Sequence, residues 1–262
     1  MKKSVVKNIF KLFAAAVMLT GICMLTGCSE PEKSTDALLI QAVDAGRSGN
    51  WQLCEDNALT VLKRENSNPH ALLLRSLAAE HLGKIDIARD SARQAAECDP
   101  QNFAAQYSYG RLLALKEDSA KPAIKVLERA LKLRPKNRNT LILLAQCSSK
   151  INSDDTIKYY NALPDQVRAL PEIQTGIGLY YLERRNKQSR NLDLAFKAFR
   201  NAYVKSHDNP GIVLNFALFL DHYVQNRRNA VRFYNHYLML TEQNPELNPT
   251  RALVKARVSS IR

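Results

Sequence analysis

The five histidines of this 262-residue chain are the first candidates for chemistry, and they stand at positions 70, 81, 207, 222 and 236. His222 and His236 do not form the HExxH pattern of zinc enzymes. The sequence also lacks a GxSxG motif and a Walker phosphate loop. The adjacent carboxylates Asp154 and Asp155 fall at a predicted helix start, where the helix dipole favours negative charge. We therefore predict no catalytic residues, no metal site and no cofactor.

Cys28 is the one residue with the sequence context of a modified side chain. It ends the motif Leu25-Thr26-Gly27-Cys28, which follows an uncharged run over residues 12–25 and four lysines within the first eleven residues. The run is shorter than the roughly 20 apolar residues that a transmembrane helix needs, and it has the length of a signal peptide.

The motif around Cys28 resembles the lipobox of bacterial lipoproteins, in which the cysteine thiol receives diacylglycerol and the chain is cut just before it. The resemblance implies a signal peptide over residues 1–27, lipidation of Cys28, and a lipidated flexible tether over residues 28–35. The alternative is an ordinary secretory signal in which Cys28 is incidental. Two or three acyl chains would suffice for stable membrane anchoring.

Three further cysteines, Cys54, Cys98 and Cys147, remain after the predicted signal peptide. Their spacing contains no CxxC pair of the kind that binds zinc. We predict three small and mostly buried side chains, with one disulfide among them as the alternative.

Small residues followed by a proline recur along the rest of the chain. The pattern is clearest at Ala88, Ala92, Ala95 and Pro100, within a unit of 34 residues that spans 69–102. It returns at Ala123, Leu127, Ala130 and Pro135, at Ala195, Phe199 and Ala202, and at Ala230, Tyr234 and Tyr237. Small side chains at helical spacing allow two helices to cross closely.

This pattern resembles the second helix of the tetratricopeptide (TPR) repeat. The resemblance implies an all-α fold, a right-handed TPR superhelix (α-solenoid) of about six helix hairpins over residues 36–245. A C-terminal capping helix over residues 246–262 is predicted to cover the last repeat, with Leu253 and Val258 as candidates for its buried face.

In TPR proteins the first helix of each hairpin lines a concave groove that binds peptides or partner proteins. By position in the repeats, the candidate groove residues are Leu73, Leu77, His81, Tyr107, Arg111, Ile142, Gln146, Thr175, Leu214, Asp221 and His222. Tyr107 and Arg111 are the strongest candidates, because Tyr and Arg often anchor interfaces. The alternative for each residue is an ordinary solvated surface position.

The formal net charge is +13, and the excess beyond the leader lies in the last third of the chain. The predicted basic patch lies in the turns of units five and six and comprises Arg184, Arg185, Lys187, Arg190, Arg227, Arg228 and Arg232. It is either a solvated face or a site for an acidic partner, an anionic envelope polymer or lipid headgroups. We expect no nucleic-acid partner for an exported, lipid-tethered chain.

Together the two resemblances imply a lipid-anchored envelope adaptor that binds a protein or peptide partner. TPR lipoproteins of this kind assist assembly of pili, secretins or outer-membrane complexes. In a Gram-negative cell, the lipobox resemblance further implies that Ser29 after the modified cysteine would permit sorting to the periplasmic face of the outer membrane. The alternatives are an accessory subunit or enzyme acting on envelope polymer, and a basic-surface module that binds polymer or lipid.

Overall fold

The computed structural model describes residues 33–261, which form helices and, within that range, no β-strand. The first helices of the hairpins (A helices) are α1 (Thr35–Arg47), α3 (Pro69–His81), α5 (Phe103–Ala114), α7 (Arg138–Lys150), α10 (Pro171–Glu183) and α12 (Pro210–His222). Their partners (B helices) are α2 (Trp51–Arg64), α4 (Ile85–Cys98), α6 (Ala120–Leu133), α8 (Asp155–Asn161), α11 (Arg190–Lys205) and α13 (Arg227–Leu240). A short α9 (Asp165–Arg168) follows α8, and a 3-10 helix (Pro245–Leu247) precedes α14 (Asn248–Ser260).

Consecutive A and B helices pack against each other along the chain, and every A helix contacts its own B helix. The described residues therefore form an α-solenoid of six helix hairpins with a terminal helix, which confirms the predicted fold class. The predicted signal peptide and Cys28 lie outside the described range. Between residues 33 and 261, no helix is both long enough and apolar enough to span a bilayer.

Unit two, α3 with α4, shows how local sequence sets the ends of the helices. The Asn68 side chain accepts hydrogen bonds from the backbone N–H groups of His70 and Ala71, and Pro69 opens the helix. Gly83, with φ of +76°, makes the turn between the two helices. Helix α4 ends before the pair Asp99-Pro100, because proline cannot continue a helix.

Close crossing within each hairpin depends on small side chains. In unit two the Ser76 hydroxyl donates to the carbonyl oxygen of Ala88 at 2.8 Å, and both residues are buried. In unit three Gly110 occupies the equivalent place, where an added Cβ would lie 2.7 Å from Cδ2 of Leu127. In unit five a Cβ on Gly178 would lie 3.0 Å from the Phe199 ring. The predicted small-residue positions are therefore the crossing points of the A and B helices.

The core changes in character along the solenoid. Fully buried alanines such as Ala88 and Ala92 dominate unit two. Aromatic rings fill the last two units, where Phe199 and Phe219 have ring centroids 5.0 Å apart and Phe216 and Phe233 are 4.8 Å apart.

Helix α14 covers the end of unit six with Val254 and Val258, which are both buried. The expectation for Val258 is met, but that for Leu253 is wrong, since Leu253 is 73% exposed. Successive helix residues are rotated by about 100°, so a contact made through Val254 turns Leu253 toward solvent.

Two of the three described cysteines match the predicted burial. Cys54 and Cys147 are buried, whereas Cys98 is exposed at the end of α4, which corrects the prediction for that residue. All three are free thiols, so no disulfide joins them within the described chain.

Candidate functional site

An apolar groove of about 590 Å³ lies between the A helices of the first three units. Its walls are lined by Leu39, Ile40 and Val43 of α1, by Leu73, Leu74 and Leu77 of α3, and by Ala104 and Ser108 of α5. Asp44, Arg47 and His70 complete the lining as polar groups. Two of the predicted groove residues, Leu73 and Leu77, are thus brought together in one concavity.

Helical spacing explains why these leucines face the groove. On α3, Leu72, Ser76 and Ala79 are buried in the hairpin core. Leu73 and Leu77 follow Leu72 and Ser76 by one position each, so they project from the neighbouring face of the helix. Ile40 is 62% exposed and Leu77 42% exposed. Large aliphatic side chains that remain exposed in a shared concavity are typical of a binding surface.

His81, Tyr107 and Arg111 do not line this groove. The His81 ring stacks on Trp51 of α2, with centroids 3.7 Å apart and planes within 1°. The Tyr107 ring stacks on Phe103 at 5.7 Å. The Arg111 guanidinium donates to both oxygens of Glu80 in the preceding unit, with 2.6 Å between Nη1 and Oε1.

The contact between Arg111 and Glu80 changes the role expected for Arg111. The hydrogen bonds from Arg111 hold the pKa of Glu80 below its usual range. Both side chains are partly buried, and the charge of Arg111 is already neutralised. Arg111 therefore joins units two and three, and its guanidinium is engaged within the protein.

The remaining groove candidates are spread along the solenoid. Ile142 and Leu214 are half-buried against the two largest core clusters. The Thr175 hydroxyl donates to the carbonyl oxygen of Pro171 in its own helix, at 2.9 Å. Gln146 and His222 are exposed. None of these five residues lies in the groove between α1, α3 and α5.

Asp221 is buried, which corrects its prediction as a groove residue. Its carboxylate accepts from the Tyr234 hydroxyl at 3.0 Å and from Nε and Nη2 of Arg257 at 2.7 and 2.9 Å. Hydrogen bonding from Arg257, helped by Tyr234, lowers the pKa of Asp221. A buried carboxylate needs such partners to stay charged, so Asp221 serves the attachment of the terminal helix α14.

Arg184 is also buried, which corrects its prediction as part of an exposed basic patch. Its Nε donates to Oδ1 of Asp154 and its Nη2 to the carbonyl oxygen of Asn152, both at 2.7 Å. The guanidinium lies 4.1 Å from the centre of the Tyr180 ring. Lys187 reaches the same Asp154 oxygen at 3.3 Å.

The role expected for Asp154 changes for the same reason. Its side chain makes no helix-capping hydrogen bond, although it stands directly before α8. Hydrogen bonds from Arg184 and Lys187 lower the pKa of Asp154. Asp154 therefore joins units four and five, and the predicted capping role is wrong for this residue.

The other predicted basic residues stand in or beside the B helices of the last units. Arg185 is exposed and lies over the Tyr223 ring at 5.1 Å. Arg190 opens α11, Arg227 and Arg228 open α13, and Arg232 lies inside α13. The turns are shorter than predicted, because α11 and α13 begin within the basic segments.

Several groove residues were missed by the sequence reasoning. Ile40 and Val43 belong to α1, whose repeat pattern is weak. Ala104 has too small a side chain to stand out in the sequence. The signal that finds Val43 and Ala104 is the position next to a core residue of an A helix, since Val43 follows the buried Ala42 and Ala104 precedes the buried Ala105. Over the described range, no cluster of three or more His, Cys, Asp or Glu residues is placed to hold a metal ion.

Comparison with known proteins identifies the architecture. No family model matches the chain, and no curated protein sequence does so. Among solved structures, PilW, described as a widely conserved type IV pilus biogenesis factor, is 16% identical, with 84% of this chain and 99% of PilW covered and a TM-score of 0.64. YrrB, described as a TPR protein with an unusual peptide-binding site, is 15% identical, covers 71% and 93%, and has a TM-score of 0.56.

The fold is that of the TPR proteins. PilF of Pseudomonas aeruginosa gives the same result at 16% identity, with 83% of this chain and 96% of PilF covered and a TM-score of 0.60. At these identities the likeness establishes the TPR solenoid fold alone.

Proposed function

We propose that this protein is a TPR scaffold that binds an amphipathic helix of a partner protein in the groove between α1, α3 and α5. The observation that carries the proposal is the groove wall, where Ile40, Leu73 and Leu77 present aliphatic surface to solvent. Burial of such surface against the apolar face of a partner would supply the driving force for binding. The role is one of binding, without catalysis.

The chemistry of the groove favours a helical ligand over other peptide ligands. Strand addition needs an exposed sheet edge, and residues 33–261 contain no strand. Recognition of polyproline helices uses grooves lined by aromatic rings, whereas this wall holds no Phe, Tyr or Trp side chain. A helix whose apolar anchors recur at every third or fourth position matches a groove built from aliphatic side chains at the same spacing.

We further propose that the scaffold is anchored by lipid at Cys28 and faces the periplasm from the outer membrane. The lipobox-like motif at residues 25–28 supports this proposal. Type IV pilus biogenesis, the process in which PilW is described as a factor, is one in which an anchored scaffold of this fold would serve. A Cys28→Ala variant should take up no labelled palmitate; continued labelling would refute the anchor.

Site-specific photocrosslinking in the native cell tests the groove. A photoreactive amino acid at Ile40 should crosslink a partner protein through a segment that forms an amphipathic helix. The same probe at Leu179, an exposed leucine of α10 outside the groove, is the matched control. Equal crosslinking of that partner from both positions, or a crosslinked segment without an apolar face, would refute the proposal.

A further inference from the structure

The B helices of units five and six carry an excess of cations. Helix α11 contains four basic residues, Arg190, Lys197, Arg200 and Lys205, and one acidic residue. Helix α13 contains three basic residues, Arg227, Arg228 and Arg232, and no acidic residue. All seven basic residues are exposed. The structure thus relocates the basic surface from the turns to the outer faces of two helices.

The cations of this surface lack the acidic partners that the cations of α4 have. On α4, Arg89 pairs with Asp86 and Arg93 with Glu97 within the same helix. Among the described residues no ion pair engages Lys197, Arg200, Arg228 or Arg232. Their charge is therefore available to an external anion.

On each of the two helices an exposed apolar side chain lies on the same face as the unpaired cations, and we call each such face a stripe. Val204 is 64% exposed and lies four residues after Arg200, so the two share one face of α11. Met239 is also 64% exposed and lies seven residues after Arg232, on the same face of α13. In each stripe the cations thus come first along the helix, and the apolar residue lies near the C-terminal end of the helix.

The two stripes lie side by side on one surface. The Tyr203 ring of α11 meets Phe233 of α13 edge to face, with centroids 4.9 Å apart, and His236 lies 6.3 Å away. Because the two helices contact each other through these rings, their outward faces are neighbours. The groove is built by A helices, so both surfaces can be occupied at once.

We propose that this surface, defined by Lys197, Arg200, Val204, Arg228, Arg232 and Met239, docks on a membrane that contains anionic lipids. Guanidinium and ammonium groups bind lipid phosphates, and Val204 and Met239 enter the interfacial layer. A soluble polyanion would use the cations alone and leave the exposed apolar residues without a role. This inference extends beyond partner binding in the groove and does not depend on it.

Binding of the full chain to vesicles tests the proposal. The full chain should sediment with vesicles of phosphatidylcholine plus phosphatidylglycerol about tenfold more than with phosphatidylcholine alone. The leader and any anchor are the same in all variants, so the difference between the two vesicles is the readout. The fourfold variant Lys197→Glu, Arg200→Glu, Arg228→Glu and Arg232→Glu should abolish this difference.

Two controls separate the surface from net charge. The first control replaces four cations of α6 by Glu, namely Lys121, Lys125, Arg129 and Lys132, and changes the net charge equally. The exposed positions of α6 hold no large apolar side chain. This variant should keep most of the preference, and the double variant Val204→Ser and Met239→Ser should lose most of it. Equal loss from both charge reversals, no loss in the double variant, or no preference in the wild type would overturn the proposal.

Discussion

The Nε atom of Arg257 lies 2.7 Å from Oδ2 of Asp221 and joins the terminal helix to the last hairpin across 36 residues of sequence. The same arrangement recurs between earlier units, where an acidic side chain is bonded to a basic one about 30 residues further along. These pairs are Glu55 with Lys84, Glu80 with Arg111, and Asp154 with Arg184. Unit one is thus tied to unit two, unit two to unit three, and unit four to unit five by charged hydrogen bonds in addition to apolar contact.

Replacement of Arg257 should loosen the terminal helix. In Arg257→Met the buried Asp221 carboxylate keeps only Tyr234, and we expect the opening free energy of α14 to fall by about 1.5–3 kcal/mol. Native-state hydrogen exchange of the α14 amides measures this opening. The control is Lys255→Met, an exposed site on the same helix. Similar protection in the two variants would mean that the contact does not stabilise the attachment.

Acid should weaken the same contact. Hydrogen bonds from Arg257 and Tyr234 lower the pKa of Asp221 in the folded protein. Its stabilising effect is therefore fully present above the unfolded-state pKa of about 3.9 and is lost as the pH falls toward the folded-state value. Thermal melting followed below about pH 5 should show this loss. The variant Asp221→Asn should have a lower Tm at neutral pH and a flatter acid dependence; an equally steep dependence would contradict the assignment.

Gly110 should resist enlargement. Its missing Cβ would lie 2.7 Å from Leu127, so Gly110→Ala forces α5 and α6 apart and should cost about 1–3 kcal/mol, although alanine favours helix. The double variant Gly110→Ala with Leu127→Ala should be less destabilised than the sum of the two single changes. Urea unfolding measures all three. Strict additivity would show that the two side chains do not compete for space.

The cysteines should differ in reactivity. Burial raises the pKa of the Cys54 and Cys147 thiols, whereas Cys98 is exposed. We expect a thiol reagent to modify Cys98 quickly in the folded protein and the other two only after unfolding. Mass spectrometry of the labelled peptides gives the order. Rapid labelling of Cys147 in the folded state would contradict the burial of that residue.

The hairpins could be predicted from sequence because their signals are local. Pro69, Gly83 and the alanines of α4 act within a few residues of each other, and each has one structural consequence. The roles of Arg184 and Asp221 could not be predicted, because their partners Asp154 and Arg257 belong to neighbouring units. The sequence pattern within one repeat does not determine which side chains of neighbouring repeats come into contact. An exposed and a buried arginine therefore look alike in the sequence.

The groove was predicted in part for a similar reason. Leu73 and Leu77 follow from the clear pattern of α3, but the opposite wall depends on how α1 of the degenerate first unit packs against α3. That packing brings Ile40 and Val43 into the groove. Tyr107 and Arg111 are occupied by other contacts, Tyr107 with Phe103 of its own helix and Arg111 with Glu80 of α3.

The central claim is that the groove between α1, α3 and α5 binds a partner helix, and calorimetric titration with the crosslinked segment as a synthetic peptide tests it most directly. Leu77 and Leu179 are both 42% exposed and both lie on A helices, so Leu77→Glu and Leu179→Glu are closely matched changes. We predict that Leu77→Glu raises the Kd about tenfold or more, since it places a charge against apolar surface, and that Leu179→Glu leaves it unchanged. Equal Kd values for the wild type and Leu77→Glu would contradict the account.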